Sequence, residues 1–228
     1  MLLQFKVKNY RSLRDESILD MEAAGLGDQK ECLLKYKNNS YLPVVSINGK
    51  NGGGKSNLIR AMWLAAQFIK NAQRTQHETA EVPVRPFELN DYSKNEPTSF
   101  EFEYEEEGIW YCYGFSATRK CICEEHLYWA PKGQKSVVVD RKYQDFSFPV
   151  NGDKKIKEMI SKAVAPNQLF FAVSCTMNYE PCIEAMKWFR TKLFFSRDYS
   201  DLGENLLEYS DDSEMLKSVA SIAKIADI

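Results

Sequence analysis

Eight consecutive residues, Gly49-Lys50-Asn51-Gly52-Gly53-Gly54-Lys55-Ser56, fit the phosphate-loop pattern G-x-x-x-x-G-K-[ST]. Phosphate oxygens need several donors converging on one point. Backbone N–H groups converge that way only where the chain folds tightly around the anion. Gly52, Gly53 and Gly54 permit such a fold and put no Cβ in its path. A helix starting near Lys55 would aim its unpaired N–H groups and partial positive charge at the same spot. Lys55 would bring a full charge to the β- and γ-phosphates, and the Ser56 hydroxyl is a hard oxygen suited to Mg2+. Asn48 and Asn57 flank the loop. Lys50 and Asn51 fall on its rim, with Asn51 placed toward a γ-phosphate or a neighbouring subunit. The expected ligands are a nucleoside triphosphate and Mg2+; the loop reads phosphates and not the base.

Hydrolysis needs more than binding. A Walker B strand ends an apolar run in Asp, often followed by Glu, to hold magnesium and activate water. The nearest match is Val137-Val138-Val139-Asp140, but Arg141 follows where a base should stand, so the run reads as a hairpin strand. Leu193-Phe194-Phe195-Ser196-Arg197-Asp198 is no better, and no LSGGQ-like signature occurs. No catalytic residue is assigned.

The elements that would position the loop follow from periodicity. Leu3, Phe5 and Val7 alternate with Gln4, Lys6 and Lys8, a half-buried strand. Asn9 to Ser12 breaks it, and Ser17 to Met21 can pair with it. Residues 23–40 read as a loop. Leu42 to Ile47 lacks alternation, as a strand buried on both faces should. Ser56 to Lys70 carries Leu58, Ala61, Met62, Ala65, Phe68 and Ile69 at helical spacing. Residues 71–97 connect. Residues 98–143 alternate with period two and form an antiparallel meander of four strands, whose aromatic residues make one packed face. A helix is expected from Asn151 through Ala163, a buried strand over Leu169–Ser174, a helix over Tyr179–Phe189 that docks Trp188 and Phe189, and a last helix over Met215–Ile225. The fold class is α/β, a P-loop lobe with an inserted antiparallel meander. The expected domains are residues 1–75 (loop and first helix), 76–150 (meander) and 151–228 (helical or mixed).

Composition agrees with a globular chain. It has 228 residues, 44% hydrophobic and 27% charged, with net charge −2. That balance gives no push toward DNA or an anionic membrane. No run approaches the roughly 20 apolar residues of a membrane span, and a cytoplasmic location is expected. Six cysteines occur, and Cys121-x-Cys123 fits neither a zinc knuckle nor a redox pair, so all six read as packed free thiols. His126 reads as a paired or half-buried structural histidine and His77 as solvated. The acidic run from Glu101 to Glu107 reads as a solvated sheet face and turn, with a metal site as the alternative. Lys192 and Arg197 are open to a nucleic-acid surface, though nothing singles them out.

The sequence resembles AAA-type ATP-binding proteins of the ABC/SMC/RecF-like group, nearest the bacterial set linked to phage defence and abortive infection. Phe5-Lys6-Val7-Lys8-Asn9-Tyr10-Arg11-Ser12 resembles the opening strand and turn of RecF and SMC heads. The resemblance puts that turn near the nucleotide, so Arg11 and Ser12 join the binding candidates. Ile47 to Asn57 resembles the form GxNGAGKSN, with Gly53 where alanine is usual. Pro86-Phe87, Pro97 to Phe102, Tyr113-Gly114-Phe115 and Glu125 to Tyr128 resemble the group's inserted β region, and Asn167 to Phe171 the stretch that precedes its helical portion.

The resemblance implies ATP as the nucleotide and a head in which two subunits sandwich it and drive an effector or DNA-bound assembly. Family members continue past a segment like Lys224–Ile228 to a signature, Walker B and a late histidine. A fragment, a split gene, an interrupted frame or a complementing second subunit would each account for the difference. A homodimer is the other expected assembly. The competing readings are a self-sufficient small P-loop NTPase or kinase, which needs a base not found here, and a degenerate structural fragment, which the intact Lys55 and Ser56 argue against.

Overall fold

A computed structural model describes residues 1–25, 30–75, 80–149 and 153–196. Residues Met1–Leu193 make one compact unit and Phe194–Ile228 a second, and every strand and helix named below lies in the first. The expected helix at Met215–Ile225, His77 and Arg197 lie outside the described residues.

β1 (Leu2–Lys8) pairs antiparallel with β2 (Ser17–Asp20), Phe5 facing Leu19. Leu3, Phe5 and Val7 are buried, as their alternation requires. The expected loop at 23–40 instead holds a short 3-10 turn (Lys30–Cys32) and a small hairpin, β3 (Leu34–Tyr36) with β4 (Asn39–Tyr41). Lys37 turns it with φ +53. Its strands are three residues each and largely exposed, so no hydrophobic alternation announces them.

The first helix, α1 (Lys55–Thr75), buries Ala61, Met62, Ala65, Ala66, Phe68, Ile69 and Ala72 along one face. Among the described residues, the connection after it contains one short helix, α2 (Asp91–Asn95), capped by the Asn90 side chain. Five strands come next: β5 (Thr98–Glu106), β6 (Ile109–Ala117), β7 (Ile122–Trp129), β8 (Ser136–Lys142) and β9 (Asp145–Ser147). They do not stand apart from the first strand. β1 pairs with β5, and one seven-stranded sheet runs β2-β1-β5-β6-β7-β8-β9, every neighbour antiparallel. The chain is thus mixed α/β with a mostly antiparallel sheet.

Three helices close the described unit: α3 (Lys154–Lys162), α4 (Phe170–Thr176) and α5 (Glu180–Thr191). The inward face of the sheet is the expected aromatic core. Tyr104 stacks on Trp188 at 4.6 Å, Phe102 meets Phe189 edge-on at 5.2 Å, and Tyr113 lies 4.4 Å from Phe171. The buried Tyr104 hydroxyl donates to the Ala185 carbonyl at 2.8 Å, so that oxygen is not stranded. Cys112, Cys123, Cys175 and Cys182 are buried free thiols; Cys121 is half-buried, and Cys32 is exposed rather than packed.

Two expected strands are corrected. Leu169–Ser174 is not a strand: Phe170–Thr176 is the helix α4. A short run buried on all sides has no period to separate helix from strand. What decides is Glu125 of β7, whose carboxylate accepts the Phe170 and Phe171 N–H groups at 2.8 and 2.9 Å and so caps the first turn. The run Leu42–Ile47 joins no strand ladder, and Val44 is 78% exposed. Apolar, β-branched residues there favour a strand, but none of the described strands pairs with it.

Candidate functional site

The glycine loop turns at the front of α1 as its composition requires. The Gly53 N–H donates to the Lys50 carbonyl at 3.1 Å, closing a turn. Gly52 and Gly54 take φ of +79° and +87°, which side-chain-bearing residues adopt only under strain. The Gly54 carbonyl accepts the Asn57 and Leu58 N–H groups at 2.9 and 3.0 Å, so the helical ladder begins there, and the N–H groups of Lys55 and Ser56 in its first turn have no carbonyl within the helix to bond.

Gly49, Lys50, Asn51, Gly52, Gly53 and Ser56 are exposed, while Gly54, Lys55 and Asn57 are half-buried. The Lys55 ammonium lies back across the loop, donating to the Gly49 and Lys50 carbonyls at 2.7 and 2.8 Å. An arriving anion would compete for that ammonium. The donor set suits a polyphosphate with a hard cation: a tight glycine turn at a helix N-terminus, one ammonium and the exposed Ser56 hydroxyl. A Cβ on Gly53 would sit 3.0 Å from the Lys50 carbonyl oxygen, so the turn leaves little room for a side chain.

The turn after β1 does reach the loop. The Asn57 amide donates to the Ser12 hydroxyl at 2.7 Å, and a Cβ on Gly54 would lie 3.0 Å from Leu13 Cδ2. Arg11, at φ +49, is less directly placed. Its backbone N–H donates to the Arg85 carbonyl, its guanidinium carbon is 5.8 Å from the Tyr10 ring, and its buried Nε has no protein partner. Asn48 turns to Ser46, its amide donating to that hydroxyl at 2.9 Å.

One positioning residue escaped the sequence reading. Asn9 has φ +56 and is 3% exposed. Its side-chain amide donates to the Ser93 and Glu96 carbonyls, both at 2.8 Å, and its Oδ1 accepts the Phe87 N–H at 3.0 Å. The Thr98 hydroxyl donates to its carbonyl at 2.8 Å. Asn9 therefore pins the turn carrying Arg11 and Ser12 to the segment before β5. An Asn just past a strand, where left-handed φ is tolerated, was the available signal.

Val137–Asp140 is a hairpin strand, as read. Asp140 lies on β8, four strand spacings from β1, roughly 19 Å across the sheet. Its carboxylate accepts the Tyr128 hydroxyl at 3.2 Å. Arg141 is not an open position beside a catalytic centre but a buried partner of Glu125 at 3.2 Å.

No helix among the described residues is long and apolar enough to cross a membrane. No curated protein matches the chain. A family model described as "AAA domain, putative AbiEii toxin, Type IV TA system" matches residues 44–214, a span that takes in the glycine loop, α1, the strands β5 to β9 and the helices after them. With well over half its length so matched, the chain belongs to this family of AAA domains, nucleotide-binding ATPases of the P-loop kind.

Proposed function

We propose that the chain binds Mg2+–ATP through Gly49–Ser56 and is the nucleotide-binding part of an ABC/SMC/RecF-like ATPase head. The observation that carries this is the exposed glycine turn at the N-terminus of α1, with Lys55 held across it and Ser56 at its front. Backbone amides and the ammonium would bind the phosphates, and the Ser56 hydroxyl would hold the cation. Ser12 would support the loop through Asn57, and Arg11 would approach from the same turn.

Hydrolysis would require a Walker B carboxylate and a signature from a further segment or a second subunit, in a homodimer or a complementing pair. Two features support that reading. Asp140 is too remote to serve the loop, and Leu42–Ile47 is an apolar run outside every described strand ladder that would pair with such a strand. The family's description names a toxin system, which favours a defence effector as the target of the nucleotide cycle.

The test is ATP binding and steady-state hydrolysis by the purified chain, with Lys55→Ala as control and GTP as competitor. Removing charge-assisted bonds of about 1.5–3 kcal/mol should weaken Mg2+-dependent ATP binding by about 10- to 150-fold. Hydrolysis should stay near background. Strong turnover by the lone chain would replace the incomplete-head reading with a self-sufficient NTPase or kinase, and failure of the intact chain to bind any nucleotide would sink both.

A further inference from the structure

The sheet face turned away from the aromatic core carries a polar row that nucleotide binding does not use. Strand registers align Lys6, Glu101, Gly114, His126 and Asp140 across five neighbouring strands. Cys112 lies two residues before Gly114, on the same face of β6. Glu101, Cys112 and His126 thereby offer one carboxylate oxygen, one sulfur and one imidazole nitrogen, all within 4.8 Å of one another. His126 Nε2 is 3.1 Å from Glu101 Oε2 and 3.9 Å from Cys112 Sγ. Around a four-coordinate zinc, with bonds of about 2.0–2.3 Å, neighbouring ligand atoms stand roughly 3.3–3.7 Å apart. The trio needs only small rotations to reach that spacing.

The surroundings hold the three side chains in place. A Cβ on Gly114 would lie 2.5 Å from His126 Cε1 and 2.7 Å from Nε2, so the imidazole occupies the space that glycine leaves. Tyr128 stacks on the ring at 4.9 Å. Lys6 donates to the other Glu101 oxygen, Oε1, at 2.8 Å and leaves Oε2 facing His126. Beside the trio a cavity of about 160 Å³, lined by Lys6, Glu16, Glu101, Glu124 and His126 among others, has room for water as a fourth ligand.

We propose that Glu101, Cys112 and His126 form a binding site for a zinc-like divalent cation, with a fourth position open to this cavity. A thiolate, an imidazole and a carboxylate are a ligand set that suits zinc and its cobalt substitute. On binding, the Cys112 S–H bond breaks and its proton leaves to solvent as the metal–sulfur bond forms. The proton that His126 Nε2 donates to Glu101 Oε2 also leaves, to solvent or to Nδ1, and frees the Nε2 lone pair for the metal. The dication then balances one thiolate and one carboxylate, with no redox change. Burial together with Glu101 and Glu103 holds the metal-free thiol protonated, and a coordinated dication reverses that preference. The bound ion would tie β5, β6 and β7 together independently of the nucleotide loop.

The experiment uses the purified full chain, stripped with a chelator and titrated with Co2+ in the absence of nucleotide, followed by Zn2+ competition. The expected result is one equivalent bound, with a thiolate-to-cobalt charge-transfer band and the visible bands of four-coordinate cobalt. Cys112→Ser and Cys112→Ala should abolish the charge-transfer band. His126→Gln and Glu101→Gln should each weaken Zn2+ binding on the order of tenfold or more. Gly114→Ala removes no ligand but displaces the ring, and should weaken binding as His126→Gln does. The double variant Cys121→Ser/Cys123→Ser should keep the full signal. Far-UV circular dichroism establishes that each variant is folded, and a Zn2+-induced rise in melting temperature should occur in the intact chain and vanish in the ligand variants. Absence of binding by the intact chain, a thiolate band that survives loss of Cys112, or one that disappears with Cys121 and Cys123 would overturn the site.

Discussion

Replacing Glu125 with alanine would leave four hydrogen-bond donors aimed at an emptied position in the core. Oε1 accepts the Tyr113 hydroxyl at 3.1 Å and the Phe171 N–H at 2.9 Å. Oε2 accepts the Phe170 N–H at 2.8 Å and an Arg141 Nη1 N–H at 3.2 Å. The side chains of Glu125 and Arg141 are both fully buried, so water cannot easily replace what is lost. Breaking a buried ion pair by removing one partner costs about 3–5 kcal/mol. Each backbone N–H left unsatisfied at the start of α4 adds about 1–3 kcal/mol, less whatever local relaxation recovers.

Arg141 keeps bonds to the Gln168 and Tyr143 carbonyls, which tempers the charge penalty. A loss of about 4–7 kcal/mol is expected, out of the 5–15 kcal/mol typical of a whole protein. Glu125→Gln retains one acceptor oxygen but turns an amide toward two donors, and should cost about 2–4 kcal/mol. Urea unfolding followed by circular dichroism and tryptophan fluorescence measures both. A double-mutant cycle with Arg141→Met should return a coupling of at least about 2 kcal/mol, because removing both partners strands no charge. A Glu125→Ala variant within about 1 kcal/mol of the parent, or strict additivity with Arg141→Met, would refute the reasoning.

Three further substitutions test other parts of the structure. Gly54→Ala puts a Cβ at φ +87 and 3.0 Å from Leu13, so it should lower stability by about 1–2 kcal/mol and weaken ATP binding with it, whereas Gly53→Ala, free of the positive φ, should cost less than about 1 kcal/mol; thermal melts and nucleotide titrations compare them. Lys157 of α3 is 1% exposed, and burial lowers its folded pKa below the usual lysine value despite the opposing field of Asp153. The unfolded chain therefore holds that proton to higher pH than the folded one, and stability should rise as pH climbs from the folded pKa toward about 10.5. Lys157→Met should raise the urea midpoint at pH 7, with an advantage that shrinks toward pH 10; a constant or growing advantage would show that the sign is wrong.

Local pattern was enough for some features. Alternation in Leu2–Lys8 and Thr98–Glu106 specified half-buried strands, and the spacing in Ser56–Lys70 specified a one-faced helix. The order Gly49 to Ser56 dictated a tight turn ahead of that helix, because glycine's freedom belongs to the residue and does not depend on partners. Partner choice was not legible. Whether Leu42–Ile47 joins a sheet depends on a free edge beside it, and whether Leu169–Ser174 coils or extends was decided by a carboxylate on β7, more than forty positions earlier. The same holds for Glu125 with Arg141, and for Glu101, Cys112 and His126. In sequence these read as an acidic run, a lone cysteine and a lone histidine. The register between strands β5, β6 and β7 brought the last three together, because strand neighbours lie about 4.8 Å apart in space however far apart they stand in the chain.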